Sequence, residues 1–336
     1  MRAAIYGLAG LELSDGERDF LRDAEPAGII IFRRNCEDGD QLLRLTNSLR
    51  DLTGRDDLPI LIDQEGGRVA RMRPPVWPAF PAAERFARLY EAAPSSAIEA
   101  VRSNARGLAL MLRSCGINVN CLPLLDVRQE GATDIIGDRA LGSEPMQVAA
   151  LGRAVLDGMA SARVVGVIKH MPGHGRALVD SHKELPVVTA SAEELDVDLE
   201  PFERLAWAPM GMTAHVVYTA WDPDRPASLS PTVIGGIIRD RIGFDGWLMS
   251  DDIGMEALAG DFASRAAGVV AAGCDVALHC SGKMDEMVAV ASAVPAMSAD
   301  GEARLARAMA SIMVDGDDGP DLAEALAKRD ALLALV

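Results

Sequence analysis

The chain has 336 residues, 49% of them hydrophobic and 25% charged, which is too apolar for disorder and ample for a buried core. A formal net charge of -17 argues against nucleic acid or an anionic membrane surface as partner. Five scattered cysteines, odd in number and without a C-x-x-C pair, fit a reducing compartment. The N-terminal twenty residues show no signal-peptide apolar core, and no run of eighteen apolar residues occurs. The expectation is therefore a cytoplasmic protein without membrane insertion.

In chain order, eight apolar runs read as strands: Ala3–Leu8, Gly28–Phe32, Pro59–Asp63, Asn118–Val127, Val164–His170, Met210–Tyr218, Gly246–Asp251 and Asp275–Cys280. Most are rich in Val, Ile and Leu without strict alternation, as in strands buried on both faces. Helical patterns lie between them. Ser14 and Glu17 form a capping box that opens the first helix. Further helices are expected over Asp40–Leu52, Ala97–Cys115, Met146–Ala162, Ala192–Leu205, Pro231–Arg241, Phe262–Ala272 and Met284–Val294. The tail from Ser298 to Val336 reads as two more, with an acidic break at Asp315–Pro320. Eight strands alternating with helices predict one α/β domain over residues 1–336, a (β/α)8 TIM-type barrel with extra C-terminal helices. No G-x-G-x-x-G follows the first strand, which argues against a dinucleotide fold.

Polar residues fall where such a barrel does chemistry. The third strand ends in Asp63, the fourth in Asp126, the fifth in Lys169-His170 and the seventh in Asp251-Asp252, while the sixth meets His215. Strand C-terminal ends share one rim, and that rim carries the active site.

Four segments supply the candidate site. ILIDQEGGRVARMRPP places Asp63 and Glu65 beside two glycines, followed by Arg68, Arg71 and Arg73. A carboxylate there can take sugar hydroxyls and an arginine can hold a carboxylate or acetamido oxygen, or the segment is a tight turn with a solvated ion-pair network. IIGDRALGSEP carries Arg139 in a glycine-flanked loop, aimed either into the mouth or at solvent. VIKHMPGHGRALVDSH gathers Lys169, His170, His174, Asp180 and His182 within fourteen residues. It admits three readings: a metal site, half-buried structural histidines, or a proton-transfer dyad of Asp180 and His182. Residues two apart in an extended loop face the same side, so the Asp180 carboxylate could orient the His182 ring. WLMSDDIGMEAL ends a strand in two carboxylates that point oppositely: either Asp251 aims into the pocket and Asp252 can cap the following helix, or both are caps without chemistry, and Asp251 is the choice for the pocket.

Together DQEGGRVAR, KHMPGHG, DSH and SDDIGME resemble the glycoside hydrolase family 3 β-N-acetylhexosaminidases, in particular the bacterial cytoplasmic β-N-acetylglucosaminidases of peptidoglycan recycling. The likeness runs from GIIIFRRN to AAGCDVALHC. It implies a single barrel with no metal or other cofactor. It implies a small carbohydrate as partner: terminal β-linked N-acetylglucosamine on 1,6-anhydro-N-acetylmuramyl fragments, cleaved with retention. It further implies Asp251 as nucleophile, His182 as general acid/base and Asp180 as its orienting partner, with Asp63, Arg71, Arg139, Lys169 and His170 binding the sugar. Met171 departs from the family's usual phenylalanine and Ile253-Gly254 from its leucine-serine, which could shift substrate placement. The competing readings are a family 3 enzyme of other sugar preference, such as a β-glucosidase, an inactive sugar-binding protein, and a metal-dependent hydrolase. The sequence does not set an oligomeric state; a monomer is compatible with it.

Overall fold

The computed structural model describes residues 1–132, 134–313 and 319–336. Eight parallel strands close a barrel. In chain order they are β1 (Arg2–Gly7), β2 (Pro26–Ile31), β3 (Ile60–Ile62), β4 (Val119–Asn120), β5 (Val165–Met171), β7 (Met210–Thr213), β10 (Trp247–Asp252) and β11 (Val276–His279), with β11 returning to pair with β1. A small separate sheet joins β6 (Val187–Val188), β8 (Val217–Tyr218) and β9 (Asp222–Pro226).

The helices are α1 (Asp15–Ala24), α2 (Gly39–Thr53), α3 (Ala83–Ala92), α4 (Pro94–Ser114), α5 (Pro145–Ser161), α6 (Asp196–Arg204), α7 (Phe262–Ala272), α8 (Met284–Ala293), α9 (Ala299–Ala310) and α10 (Leu322–Leu333). The capping box at α1 is present: Ser14 Oγ accepts from the Glu17 amide, and Glu17 accepts from the Ser14 amide. The two tail helices are α9 and α10, while positions 315–318 of the expected acidic break lie outside the described residues.

Alternation along each strand explains the apolar runs. Ile5, Ile30, Leu61, Val119, Val165, Val167, Met210, Met212 and Met249 point inward and form one cluster with Leu305 and Met309 of α9. Ala4, Ile29, Ile31, Ile60, Ile62 and Leu248 point outward, into a second cluster shared with the surrounding helices. Both faces of each strand are thus buried, the signature of a parallel barrel. Trp247, fully buried, donates its indole N–H to Met297 Sδ at 3.4 Å near the N-terminal end of β10. Helix α9 packs across that end of the barrel. Arg304 bonds Asp275 and Asp245, each at 3.0 Å, and Asp275 also takes Arg239 at 2.9 Å.

Four expectations change. The predicted fourth strand, Asn118–Val127, pairs only over Val119–Asn120, because Pro123 has no amide to donate; a single bridge at Leu124 resumes the contact with β5. The predicted sixth strand, Met210–Tyr218, leaves the barrel after Thr213. His215 is buried and held by Ser228 Oγ at 2.7 Å and the Asp252 carbonyl at 3.0 Å, and Val217–Tyr218 join the small sheet. The Pro231–Arg241 helix forms as wide π-type turns over Thr232–Arg241, around the poor helix formers Gly235 and Gly236. Of Ala192–Leu205 only Asp196–Arg204 is helical, and α3, an amphipathic helix that follows the proline-rich PPVWPAFP, was not among the expected helices.

Candidate active site

The C-terminal strand ends meet around a cavity of about 250 Å3. Its walls include Asp63, Glu65, Arg71, Arg139, Lys169, His170, His182 and Asp251. Seven of the eight residues expected at the site therefore line one space, and Asp180 stands directly behind His182. A larger cavity of about 670 Å3 opens at the other end, near α9. Its charged lining residues, Asp245, Arg304 and Arg307, pair with one another.

Asp63 follows β3 and is bridged by two cations: Lys169 Nζ at 3.1 Å and Arg71 Nη2 at 3.0 Å. Glu65, two residues on, faces the same side. It takes Lys169 Nζ at 2.8 Å and a bidentate fork from Arg139, both contacts 2.8 Å. The five charges form one buried network of alternating sign. Burial opposes ionisation of the two carboxylates, yet Lys169 with Arg71 or Arg139 outweighs it and holds both below the usual range, Glu65 at about 2. Burial also opposes the charge on Lys169, and Glu65 and Asp63 reverse that, so its ammonium is held above the ordinary value. Two of its three donors are committed, which leaves one for a ligand.

Arg139 thus points into the mouth, as one of its two sequence readings had it, and its orientation comes from Glu65. Arg68 also lines the cavity, but its guanidinium is engaged elsewhere. Its guanidinium bonds Asp138 at 2.7 Å and the carbonyls of Asp134 and Ile135, pinning the loop that carries Arg139. Arg73 is likewise committed to the carbonyls of Ala70 and Arg68. Arg71 lies over the Phe32 ring at 4.8 Å, and its Nε is buried without a partner among the described residues.

Asp126, fully buried, organises the fifth strand's end. Its Oδ2 lies 2.8 Å from His170 Nδ1, and its Oδ1 accepts from the His170 and His174 amides at 3.2 and 2.7 Å. Burial disfavours the carboxylate, but His170 and His174 hold it at about 2. An ionised carboxylate only accepts, so His170 carries its hydrogen on Nδ1 and turns Nε2 toward the cavity. His174 is also buried. Burial and then the neighbouring His170 push its pKa down to about 4, so it is a neutral ring.

The loop after β5 carries the dyad. Asp180 Oδ1 accepts from the His182 amide at 2.9 Å and lies 3.0 Å from its ring Nδ1. The same donor logic puts the hydrogen on Nδ1 and leaves Nε2 free. Burial slightly opposes ionisation of Asp180, but the His182 amide and ring hold its pKa below the usual value. The His182 side chain is 63% exposed. Ser181 between them points inward: it is buried, its hydroxyl lies 3.3 Å from His174 Nε2, and its carbonyl accepts from the Ala257 amide at 3.3 Å. Of the three readings of this cluster, structural histidine fits His174 and the dyad geometry fits Asp180–His182. Among the described residues no three His, Cys, Asp or Glu side chains are grouped to hold a metal ion.

Asp251 and Asp252 end β10. Asp251 accepts from the Asp252 amide at 2.8 Å. Burial disfavours its charge, and His170, His215, that amide and Lys169 together outweigh burial and lower its pKa. Asp252 lines the cavity too, but its Oδ1 accepts from the Gly254 and Cys280 amides. Burial raises its pKa. The expected cap is therefore on a turn; the helix that follows, α7, is capped by Asp261. Of the departures in the motifs, Met171 and Ile253 are fully buried in the outer cluster, while Gly254 is exposed and its amide donates to Asp252; none of the three lines the cavity.

The sequence profile of the glycosyl hydrolase family 3 N-terminal domain matches residues 3–313. The chain belongs to glycoside hydrolase family 3. Curated relatives place it among the family's β-hexosaminidases. It is 40% identical to that of Alkalilimnicola ehrlichii and 37% identical to that of Bordetella avium, each over 82% of this chain and 80% of the relative. The crystal structure of NagZ from Neisseria gonorrhoeae in complex with N-trifluoroacetyl-D-glucosamine superposes with a TM-score of 0.86 at 31% identity, covering 99% of this chain and 98% of that one. The protein is thus a family 3 glycoside hydrolase of the β-N-acetylhexosaminidase type, built on the barrel that family uses.

Glu65, Asp126, His174 and Ser181 lay outside the set of residues that the resemblance implied, although Asp126 was noted at its strand end and Glu65 and His174 stood in the candidate segments. Glu65 was legible in principle: it is two positions from Asp63 in the D-x-E of a strand end, so both carboxylates had to face the same way. Ser181 carried no signal of its own.

Proposed function

We propose that this enzyme is a retaining exo-β-N-acetylglucosaminidase, a single catalytic domain over residues 1–336. Asp251 is the nucleophile, His182 the general acid/base, and Asp180 the group that orients it. The observation that carries the reading is that an ionised Asp251, held by four favourable neighbours, and the free Nε2 edge of an Asp-backed His182 belong to one cavity too small for more than a sugar ring or two.

Retention requires attack by a carboxylate on one face of the anomeric carbon while the leaving oxygen is protonated from the other. The Asp251 carboxylate forms the C1–O bond as the aglycone departs with a proton from His182 Nε2. His182, now neutral, then takes a proton from water, whose oxygen replaces Asp251 at C1. An imidazole, whose ordinary pKa is about 6.5, can perform both halves near neutral pH. The network of Asp63, Arg71, Arg139, Lys169 and His170 binds the sugar: the cations offer donors to hydroxyl and acetamido oxygens, and Asp63 offers lone pairs to hydroxyls. Because Asp63 and Glu65 hold these cations in place, the pocket presents pre-oriented groups and needs little reorganisation when the oxocarbenium-like charge develops.

The amino sugar is supported by the complex of the Neisseria NagZ with N-trifluoroacetyl-D-glucosamine. By the same likeness the substrate is N-acetylglucosaminyl-1,6-anhydro-N-acetylmuramyl fragments, and the role is peptidoglycan recycling in the cytoplasm. All five cysteines are free and buried, as a reducing compartment favours. No helix among the described residues is long and apolar enough to cross a membrane.

The test is proton NMR of early hydrolysis of an aryl β-N-acetylglucosaminide, with the matching β-glucoside beside it. The reading predicts that β-N-acetylglucosamine appears first and that the glucoside is cleaved far more slowly. Initial release of the α-anomer, or preference for the glucoside, would contradict it.

A further inference from the structure

The loop that carries Asp180 and His182 has a firm root and a loosely covered arm. Gly173 lies so close to α6 that a Cβ there would sit 2.9 Å from Asp198 Cβ. Its carbonyl accepts from the buried Tyr218 hydroxyl at 2.6 Å. Three residues on, Arg176 reaches across to the same helix and to the turn that precedes it. Its Nε donates to Asp198 Oδ2 at 2.5 Å and its Nη2 to the Glu194 carbonyl at 2.8 Å. Beyond this point cover is partial: Ala177 and Ser181 are buried, but Leu178 is 69% exposed and residues 182–185 are exposed.

We propose that Arg176 is a positioning residue for the acid/base dyad, clamping the root of its loop to Asp198 so that the four-residue arm ending in Asp180 starts from a fixed place and direction. The inference rests on the reading of His182 as acid/base. Four residues span at most about 13 Å, so a small tilt at the root becomes a displacement of order 1 Å at the imidazole. Misplacement on that scale costs up to about a hundredfold in rate.

The partner is suited to the task. Asp198 sits in the first turn of α6 with its side chain 1% exposed. Burial pushes its carboxyl up to about 6, while the Arg176 hydrogen bond and charge pull it back. Its Oδ1 has no partner among the described residues, so Arg176 is the cation that holds this carboxylate in place. Without Arg176 the buried group would take a proton or turn outward, and the loop root would lose its anchor on α6.

The test compares kcat/KM, which reports the first chemical step, on two β-N-acetylglucosaminides. The 2,4-dinitrophenyl glycoside needs little protonation of its leaving group, and the phenyl glycoside needs it fully. Arg176→Ala should lower kcat/KM on the phenyl substrate about tenfold or more while leaving the dinitrophenyl substrate within about twofold. Arg176→Lys should recover part of the loss. Asp198→Asn should give the same pattern, and the double variant should be no worse than either single one. A fraction of unfolded enzyme would lower both substrates alike, so the contrast separates positioning from folding. Equal losses on the two substrates, an unchanged phenyl rate, or additive losses in the double variant would overturn the proposal. His182→Ala, measured in parallel, tells the two failures apart. If it too loses equally on both substrates, the acid role is wrong; if it shows the contrast and Arg176→Ala does not, only the clamp is wrong.

Discussion

At the scale of single residues, the proposed mechanism separates groups that react from groups that hold them. His182 has one nitrogen committed to Asp180 and one free, the arrangement a proton shuttle needs. His182→Ala should reduce kcat/KM on a phenyl glycoside by about 10²–10⁴ and on a dinitrophenyl glycoside far less. Equal losses in steady-state assays would remove it as the acid. Glu65 belongs to the second kind. Its folded pKa is depressed to about 2 from an ordinary 4.5, because Lys169 and Arg139 outweigh burial. On acidification the unfolded chain therefore binds a proton near pH 4.5, before the native state does. Stability contributed by this pairing is fully present above that pH and is lost as pH falls toward 2. Wild type should thus lose more unfolding free energy between pH 5 and pH 3 than Glu65→Gln, as read by urea titration; identical losses would contradict the network's account. Most of these residues could be picked from sequence because strand ends must share a rim. Ser181 could not, because its inward turn depends on His174 and on the Ala257 amide, which lie 7 and 76 positions away.

At the scale of elements, the loop after β5 is shaped as much by backbone contact as by its ionisable groups. A Cβ on Gly175 would stand 1.9 Å from the Val127 carbonyl oxygen, a backbone atom that cannot step aside. Gly175→Ala should destabilise the protein by about 2 kcal/mol or more and displace the dyad, so thermal unfolding and kcat should fall together. An unshifted melting temperature with full activity would contradict it. Glycine in PGHG was visible in sequence as loop punctuation, but the carbonyl it faces belongs to a segment 48 residues earlier. The long strands were legible from their apolar runs. The truncation of β4 depended on Pro123, a signal present and under-weighted, whereas the departure of His215 from the barrel depended on Ser228 and the Asp252 carbonyl, partners that no local pattern names.

At the scale of the whole molecule, an acidic protein of net charge -17 gathers Lys169, Arg71 and Arg139 at one end of the barrel, while α9 packs across the other. The eight-strand count carried the architecture because each strand is buried on both faces and its helix must cover it. The small sheet of β6, β8 and β9 escaped sequence reading, since two of its strands are two residues long. Two of the cavity's carboxylates, Asp63 and Glu65, are already paired with Lys169, Arg71 and Arg139, so a metal ion would have to displace a cation to reach them. Dialysis against a chelator should leave kcat unchanged; activity lost and then restored by zinc would contradict that reading. The most direct measurement is intact mass spectrometry, with peptide mapping, after incubation with a slow fluorinated amino-sugar substrate. A single sugar adduct on the peptide containing Asp251, absent in Asp251→Asn, is the predicted result; turnover with no adduct, or an adduct on another residue, would contradict the account.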